Sequence, residues 1–335
     1  MSKLNVAIIF GGATMRDTSI AAAINIIDSL SREKYNILPV YVNDLGNYFL
    51  YEGKPHAIKA AEWENFGTRC QISLERQDSG LIRISGDRIR NVPVDIAIPL
   101  LRCGLSGGQI QGTLEMGGIK YIGAGVLASA FSADNAMIKT IAKSLGISYP
   151  KHLVFDSIEL DDFDALLRAI RYKIGYPCHV KPLTKGDFDG ISYVRNKKEL
   201  EGAILAAFLH ERRITVEKEV VGRKFVCAVY ESSDGVRVLG VAEKLLDGGL
   251  CLSPKLDAKI IAKIERGSLD LFKSMNASGL VSFTFCLEEK VSDVVLHDLN
   301  TILEFADSDD LMKLVRGAGM DFGEFLDMLI EYVVR

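Results

Sequence analysis

LNVAIIF at residues 4–10 runs apolar into Gly11-Gly12, a helical period follows, and YNILPVYV at 35–42 returns as a second apolar run. The helix is predicted from Thr18 or Ser19 through Ser31, with Ala22, Ile26, Ile27 and Leu30 on its buried face. Strand, glycine turn, helix and strand in that order make a βαβ unit, and such units build parallel sheets. Pro39 has no N–H to offer a ladder, so the second strand is predicted at an edge or with an irregularity.

Outward from this unit, VDIAIPLL (94–101) lacks alternation and reads as a strand buried on both faces. IQGTLEMGGI has a short helical period, YIGAG a strand and turn, and a helix is predicted from about Ser132 to Leu145. HLVF (152–155) opens a second α/β unit, with a helix over about 160–174, the strand PCHVKPL, and a helix from about Lys197 to Glu211. The last third changes texture. ITVEKEV, KFVCAVYE, VRVLGVAE, GLVSFTFCLEE and DVVLHDLNT are strands separated by charged and glycine turns, which predicts an antiparallel sheet flanked by helices near 257–275 and 322–333. The expected class is mixed α/β and α+β. Boundaries near 123 and 214 divide the chain into 1–123, 124–214 and 215–335.

At 335 residues the chain is long enough for two or three packed units. A net charge of −4 supplies no field that would draw nucleic acid or an anionic membrane. No apolar run approaches the ~20 residues of a membrane span, and MSKLNVAIIF has no cleavable-signal pattern, so a cytoplasmic protein is expected. The six cysteines form no CxxC pair and read as reduced core thiols. His56, His152, His179, His210 and His297 are dispersed, with no spacing that suits a transition metal.

Nine segments in order resemble the D-alanine–D-alanine ligases, in particular the D-alanine–D-serine ligases of glycopeptide resistance. They are IIFGG (8–12), the Ser19-Ile20 helix start, PVYVNDLGNYFLYEG (39–53), VDIAIPLL with IQGTLEMGGIKYIGAG (94–125), SAFSADNAMIK (129–139), YPCHVKP (176–182), VEKEVVG (216–222), SGL (278–280) and DLNT (298–301). The resemblance implies a three-domain ATP-grasp fold with an N-terminal parallel-sheet domain, ATP and Mg²⁺ as cofactors, and a homodimer through the N-terminal domain. It also implies a two-step reaction. ATP phosphorylates the carboxylate of one D-alanine, and the amine of a second D-amino acid attacks the acyl phosphate to give a D,D-dipeptide for peptidoglycan. Such chemistry needs cations around the transferring phosphoryl group and oxygens around the metal.

By resemblance, Lys181 reaches the ATP phosphates, Glu217, Lys218 and Val220 belong to the adenine-binding segment, and Asp298 and Asn300 match a metal-ligating Glu-x-Asn. Other positions depart from the pattern. Asn135 stands where a second phosphate-contacting lysine belongs, and the Gly-Ser-Ser-x-Gly phosphate loop reads Gly186-Asp187-Phe188-Asp189-Gly190. Arg-x-Asp, source of a transition-state cation and a metal carboxylate, reads Ser282-Phe283-Thr284. Lys224 replaces the acid that grips ribose, and Glu304 falls where a Pro-Gly-x-Thr-Ser segment touches the second substrate. Met15, or Arg16 if no residue is deleted, takes the place of the glutamate that grips the D-alanine amine, and the lid shrinks to LLDGGLCL (245–252).

Apolar and turn landmarks persist while polar positions throughout the expected cleft change. That pattern predicts a ligase homologue that is inactive or strongly impaired and acts through a protein partner or an active paralogue. The alternative is an ATP-dependent carboxylate–amine ligase of altered substrate, with a role in peptidoglycan synthesis or glycopeptide resistance.

Overall fold

The computed structural model describes residues 3–53, 66–101, 107–184, 190–288 and 293–335, and these form three sheets. The first holds β1 (Leu4–Gly11), β2 (Tyr35–Val42), β3 (Tyr48–Tyr51), β4 (Gly67–Ile72), β5 (Gly80–Ser85), β6 (Arg88–Pro93), β7 (Ile96–Pro99) and β8 (Lys120–Tyr121), in the order β6-β5-β4-β3-β2-β1-β7-β8. β2, β1, β7 and β8 run parallel, as a βαβ start requires, and β3 to β6 extend the sheet antiparallel. β2 is therefore interior, not an edge. Its proline is tolerated because β3 pairs only with Val40, Tyr41 and Val42, which leaves Pro39 without a neighbour on that side.

The first helix spans Arg16–Ser29, two residues earlier than expected, because Met15 takes the left-handed conformation with φ 53° and turns the chain. Ser19 does not cap it. Its hydroxyl accepts the Gly11 N–H at 3.0 Å and donates to the Leu100 carbonyl at 2.9 Å, so one buried side chain ties the ends of β1 and β7 together. The helix packs Ala22, Ala23, Ile26 and Ile27 into a core that also takes Phe325, Leu326, Leu329 and Ile330 from the final helix, Phe322–Val334.

The second sheet holds β9 (His152–Asp156), β10 (Cys178–Pro182), β11 (Ser192–Val194) and β12 (Arg213–Lys218) in the order β11-β10-β12-β9. β12 was expected among the C-terminal strands. It pairs instead with β10 and β9, placing Val216 and Ile214 in the core under the helices Phe163–Lys173 and Lys197–His210. The third sheet holds β13 (Gly222–Ser232), β14 (Gly235–Lys244), β15 (Leu250–Cys251), β16 (Leu280–Glu288) and β17 (Asp293–Asn300), all antiparallel in the order β15-β14-β13-β16-β17.

The helix expected over about 132–145 forms as Asn135–Ser144, because Asp134 leaves the helical conformation and its carboxylate accepts the N–H groups of Ala136 and Met137 at 2.8 and 3.0 Å, and a further helix, Val126–Ala133, precedes it. Gly279, at φ 65°, lets the third sheet touch the start of this segment. A Cβ there would lie 2.7 Å from the Gly123 nitrogen. Cys70, Cys178, Cys227 and Cys286 are buried thiols outside any disulfide and Cys251 is half-buried, whereas Cys103 and His56 lie outside the described residues. No helix among the described residues is long and apolar enough to cross a membrane.

Ser19→Ala would strand a buried donor and a buried acceptor together. It is expected to cost about 2 kcal/mol in urea unfolding, and a midpoint equal to that of the parent chain would remove Ser19 from the account of the β1–β7 junction.

Candidate functional site

Alternation along β10 and β12 decides which side chains reach the cleft. Cys178, Val180, Ile214 and Val216 point into the core, so His179, Lys181, Thr215 and Glu217 share the other face. Cross-strand pairing then aligns His179, Glu217 and His152 in one row over β10, β12 and β9. The helix Asn135–Ser144 delivers Lys139 onto this row. Glu217, only 6% exposed, accepts a hydrogen bond from the Lys139 ammonium and faces Lys181 Nζ at 2.7 Å.

Burial alone would raise the Glu217 pKa, but Lys181 and Lys139 outweigh it and hold the carboxyl down at about 2, against an ordinary 4.5. Burial, and after it the charge of Lys139, keeps His152 below the usual imidazole range. Burial and Lys181 do the same for His179. The lysines carry the positive charge of this wall.

The facing wall is the third sheet. Thr284 pairs with Asp298 and Ser282 with Asn300. The ladder shifts between Thr284 and Phe285, so His297 is the extra residue of a bulge and stands on the exposed side next to Asp298. Lys224 of β13 reaches across β16, its Nζ 3.1 Å from His297 Nε2. An ammonium can only donate, so Nε2 accepts and the ring is neutral. Desolvation and then Lys224 push the His297 pKa down to about 4. His297 also senses Asp298, Lys181 and Glu217, and His179 senses Lys224, so groups of both sheets face one cleft.

The other sequence-derived positions fall variously. The Asn135 amide donates to the Leu183 carbonyl at 3.2 Å, closing the helix start onto the end of β10. Lys218 points to the opposite face from Glu217 and donates to the Tyr176 carbonyl at 2.6 Å, while Glu219 accepts the Tyr193 hydroxyl at 2.7 Å. Val220 offers its carbonyl to the Cys286 thiol at 3.9 Å. Met15 caps the first helix beside Arg16, whose guanidinium stays charged next to Tyr41 and Asp44. Glu304 is half-buried between Leu303 and Phe305, in a loop tied to the first helix by Asn25 Nδ2 donating to the Phe305 carbonyl at 2.8 Å. Asp187 and its loop lie outside the described residues. The segment read as a shortened lid begins with a turn between β14 and β15, closed by the Leu245 N–H on the Gly249 carbonyl at 2.9 Å.

These residues do not suit Mg²⁺. The ion wants octahedral oxygens at short range. Here Thr284 is neutral, the Asn300 amide oxygen takes the Ile302 N–H at 2.9 Å, and the Lys224 ammonium stands one residue from Asp298 through His297. Among the described residues no three His, Cys, Asp or Glu side chains gather as a metal site.

Residues 5–124 match the family model of the D-ala D-ala ligase N-terminus and residues 141–331 that of its C-terminus. The chain belongs to the D-alanine–D-alanine ligase family. It is 30% identical to the D-alanine–D-alanine ligase of Thermoanaerobacter sp. strain X514 over all of this chain and 98% of that one. It is equally similar to that of Caldicellulosiruptor bescii, over all of this chain and 96% of that one. Among solved structures, the VanG D-Ala:D-Ser ligase of Enterococcus faecalis superposes with a TM-score of 0.89 at 26% identity, over 99% of this chain and 100% of that one. The three sheets thus form the ATP-grasp fold of the D-alanine–D-alanine ligases. The Bacillus anthracis ligase complexed with ATP shares this fold, with a TM-score of 0.72 at 22% identity over 99% and 97% of the two chains.

Sequence reading missed Lys139 and His297 as cleft residues. Lys139 lies in the SADNAMIK landmark without a spacing signal, and His297 reaches the cleft only through a bulge.

Because the Glu217 carboxyl has its pKa depressed on folding, its contribution is complete above about pH 4.5 and is lost as pH falls toward 2. Glu217→Gln is expected to cost about 3 kcal/mol at pH 7 and to flatten the acid limb of stability between those values. Urea melts across that range would show it, and an unchanged acid limb would refute the pairing.

Proposed function

We propose that this chain is a D-alanine–D-alanine ligase homologue whose ligation chemistry is lost or strongly impaired, while its cleft keeps lysines suited to a phosphate-bearing ligand. The observation that carries this reading is the facing of Thr284 and Asp298 with the Lys224–His297 pair beside them. In-line phosphoryl transfer relies on metal ions and a positioned cation to meet charge in the transition state. At the aligned positions this chain offers Ser282 for the arginine, Thr284 for one metal carboxylate, and Asn135 turned onto the Leu183 carbonyl. A lid reduced to a five-residue turn over 245–249 also gives poor protection of an acyl phosphate from water.

The reading includes a cytoplasmic protein, self-association through the N-terminal sheet, and action through a protein partner such as an active paralogue. The retained Lys139–Glu217–Lys181 cluster favours one rival, an ATP-dependent carboxylate–amine ligase of altered substrate.

Both are tested by incubating the pure protein with ATP, Mg²⁺ and a panel of D-amino acids, with ADP release and dipeptide mass as readouts. D-alanine-dependent ADP release is expected at least about 10³-fold below that of a control ligase, the scale set by loss of a transition-state arginine. Dipeptide at control rates would defeat the proposal. Turnover with a different D-amino acid would establish the rival.

A further inference from the structure

The metal positions of this cleft are not merely weakened; a cation of the chain's own stands beside them. By resemblance the family's two metal carboxylates correspond to Thr284 and Asp298, which are cross-strand partners. Thr284 is neutral, so of the two positions only Asp298 carries charge, and the Lys224 ammonium contacts the adjacent His297.

Lys224 is well placed for this exchange. It is exposed, so its charge is open to a ligand, and it is anchored on a neutral acceptor, His297 Nε2 at 3.1 Å, not on a carboxylate that would cancel it. On the second sheet, Lys139 and Lys181 both pair with the carboxylate of Glu217. A dication lodged on Asp298 would be repelled by the nearby ammonium.

We propose that this cleft binds the phosphate chain of a nucleoside di- or triphosphate without a divalent metal, with Lys224 supplying the positive charge at the family's metal position. The inference rests on the reading that the cleft survives while ligation is lost. It makes the site metal-independent and predicts affinity that weakens with salt, because lysine charge is screened whereas coordination is not.

Isothermal titration of the full chain with ADP, in EDTA and in MgCl₂, tests it. The EDTA dissociation constant is expected to equal or fall below the Mg²⁺ value. Lys224→Gln should raise it about tenfold, the loss of roughly one exposed charge contact to phosphate. Lys224→Arg should retain it, and both variants should melt with the parent chain because the side chain is exposed. The double variant Lys224→Glu with Thr284→Asp should bind ADP only when Mg²⁺ is present.

ADP binding by the parent chain that requires Mg²⁺, binding in neither buffer, or Lys224→Gln without effect would each overturn the inference. The dipeptide assay separates this from the reading beneath it. Mg²⁺-dependent binding without dipeptide sinks only the metal-free site, and Mg²⁺-dependent binding with dipeptide sinks both.

Discussion

A carboxylate removed from water stays ionised only when something replaces the lost hydration, and Glu217 obtains this from two ammonium groups held by different elements. Lys181 comes from the neighbouring strand and Lys139 from the helix Asn135–Ser144 that covers the sheet. The pairing therefore fixes the height of that helix above β10 and β12. Asn135 and Asp134 reinforce the same joint, one by donating to the Leu183 carbonyl and the other by capping the helix and bridging to Thr184. Once that joint is set, the face carrying His179 and Lys181 has a fixed partner in the third sheet.

The third sheet answers with a bulge. Without the shift at Thr284, residues 296 to 300 would alternate, and His297 and Asp298 would point to opposite faces. With it, both lie on the exposed side, and Lys224 has an acceptor within reach. The electrostatics of the cleft thus follow from one extra residue in a strand. Lys224, which by resemblance stands in place of a ribose-gripping acid, thereby meets His297 beside Asp298.

Much of the scaffold was legible because apolar period is a local signal. LNVAIIF, YNILPVYV and VDIAIPLL became β1, β2 and β7 in a parallel core, and the C-terminal hairpins paired antiparallel as their turns suggested. Misreadings arose where a distant partner decides the outcome. ITVEKEV is a strand by any local test, but its sheet is chosen by β9 and β10, far away in sequence. The break at Asp134 had a usable signal, an aspartate directly before a helical period, that was outweighed by the apolar run through it. The cleft cluster had no such signal. Its lysines and histidines come from a helix and four strands of two sheets, and only the folded chain brings them together.

Binding and chemistry place different demands on the same charges, so a scaffold can meet the first without meeting the second. Holding a polyphosphate requires a positive field, to which each ammonium contributes half the charge of a divalent metal ion. Moving a phosphoryl group to a carboxylate requires more. Oxygens on both sides of the transfer must be clamped in line, and charge must be met where it appears in the transition state. Lys224 on its exposed, flexible stem can serve the first demand but has no coordination geometry for the second. Ser282 and Thr284 add neither a cation nor a ligand of the needed strength. On the proposed reading, charge without coordination would hold a polyphosphate and leave it unactivated.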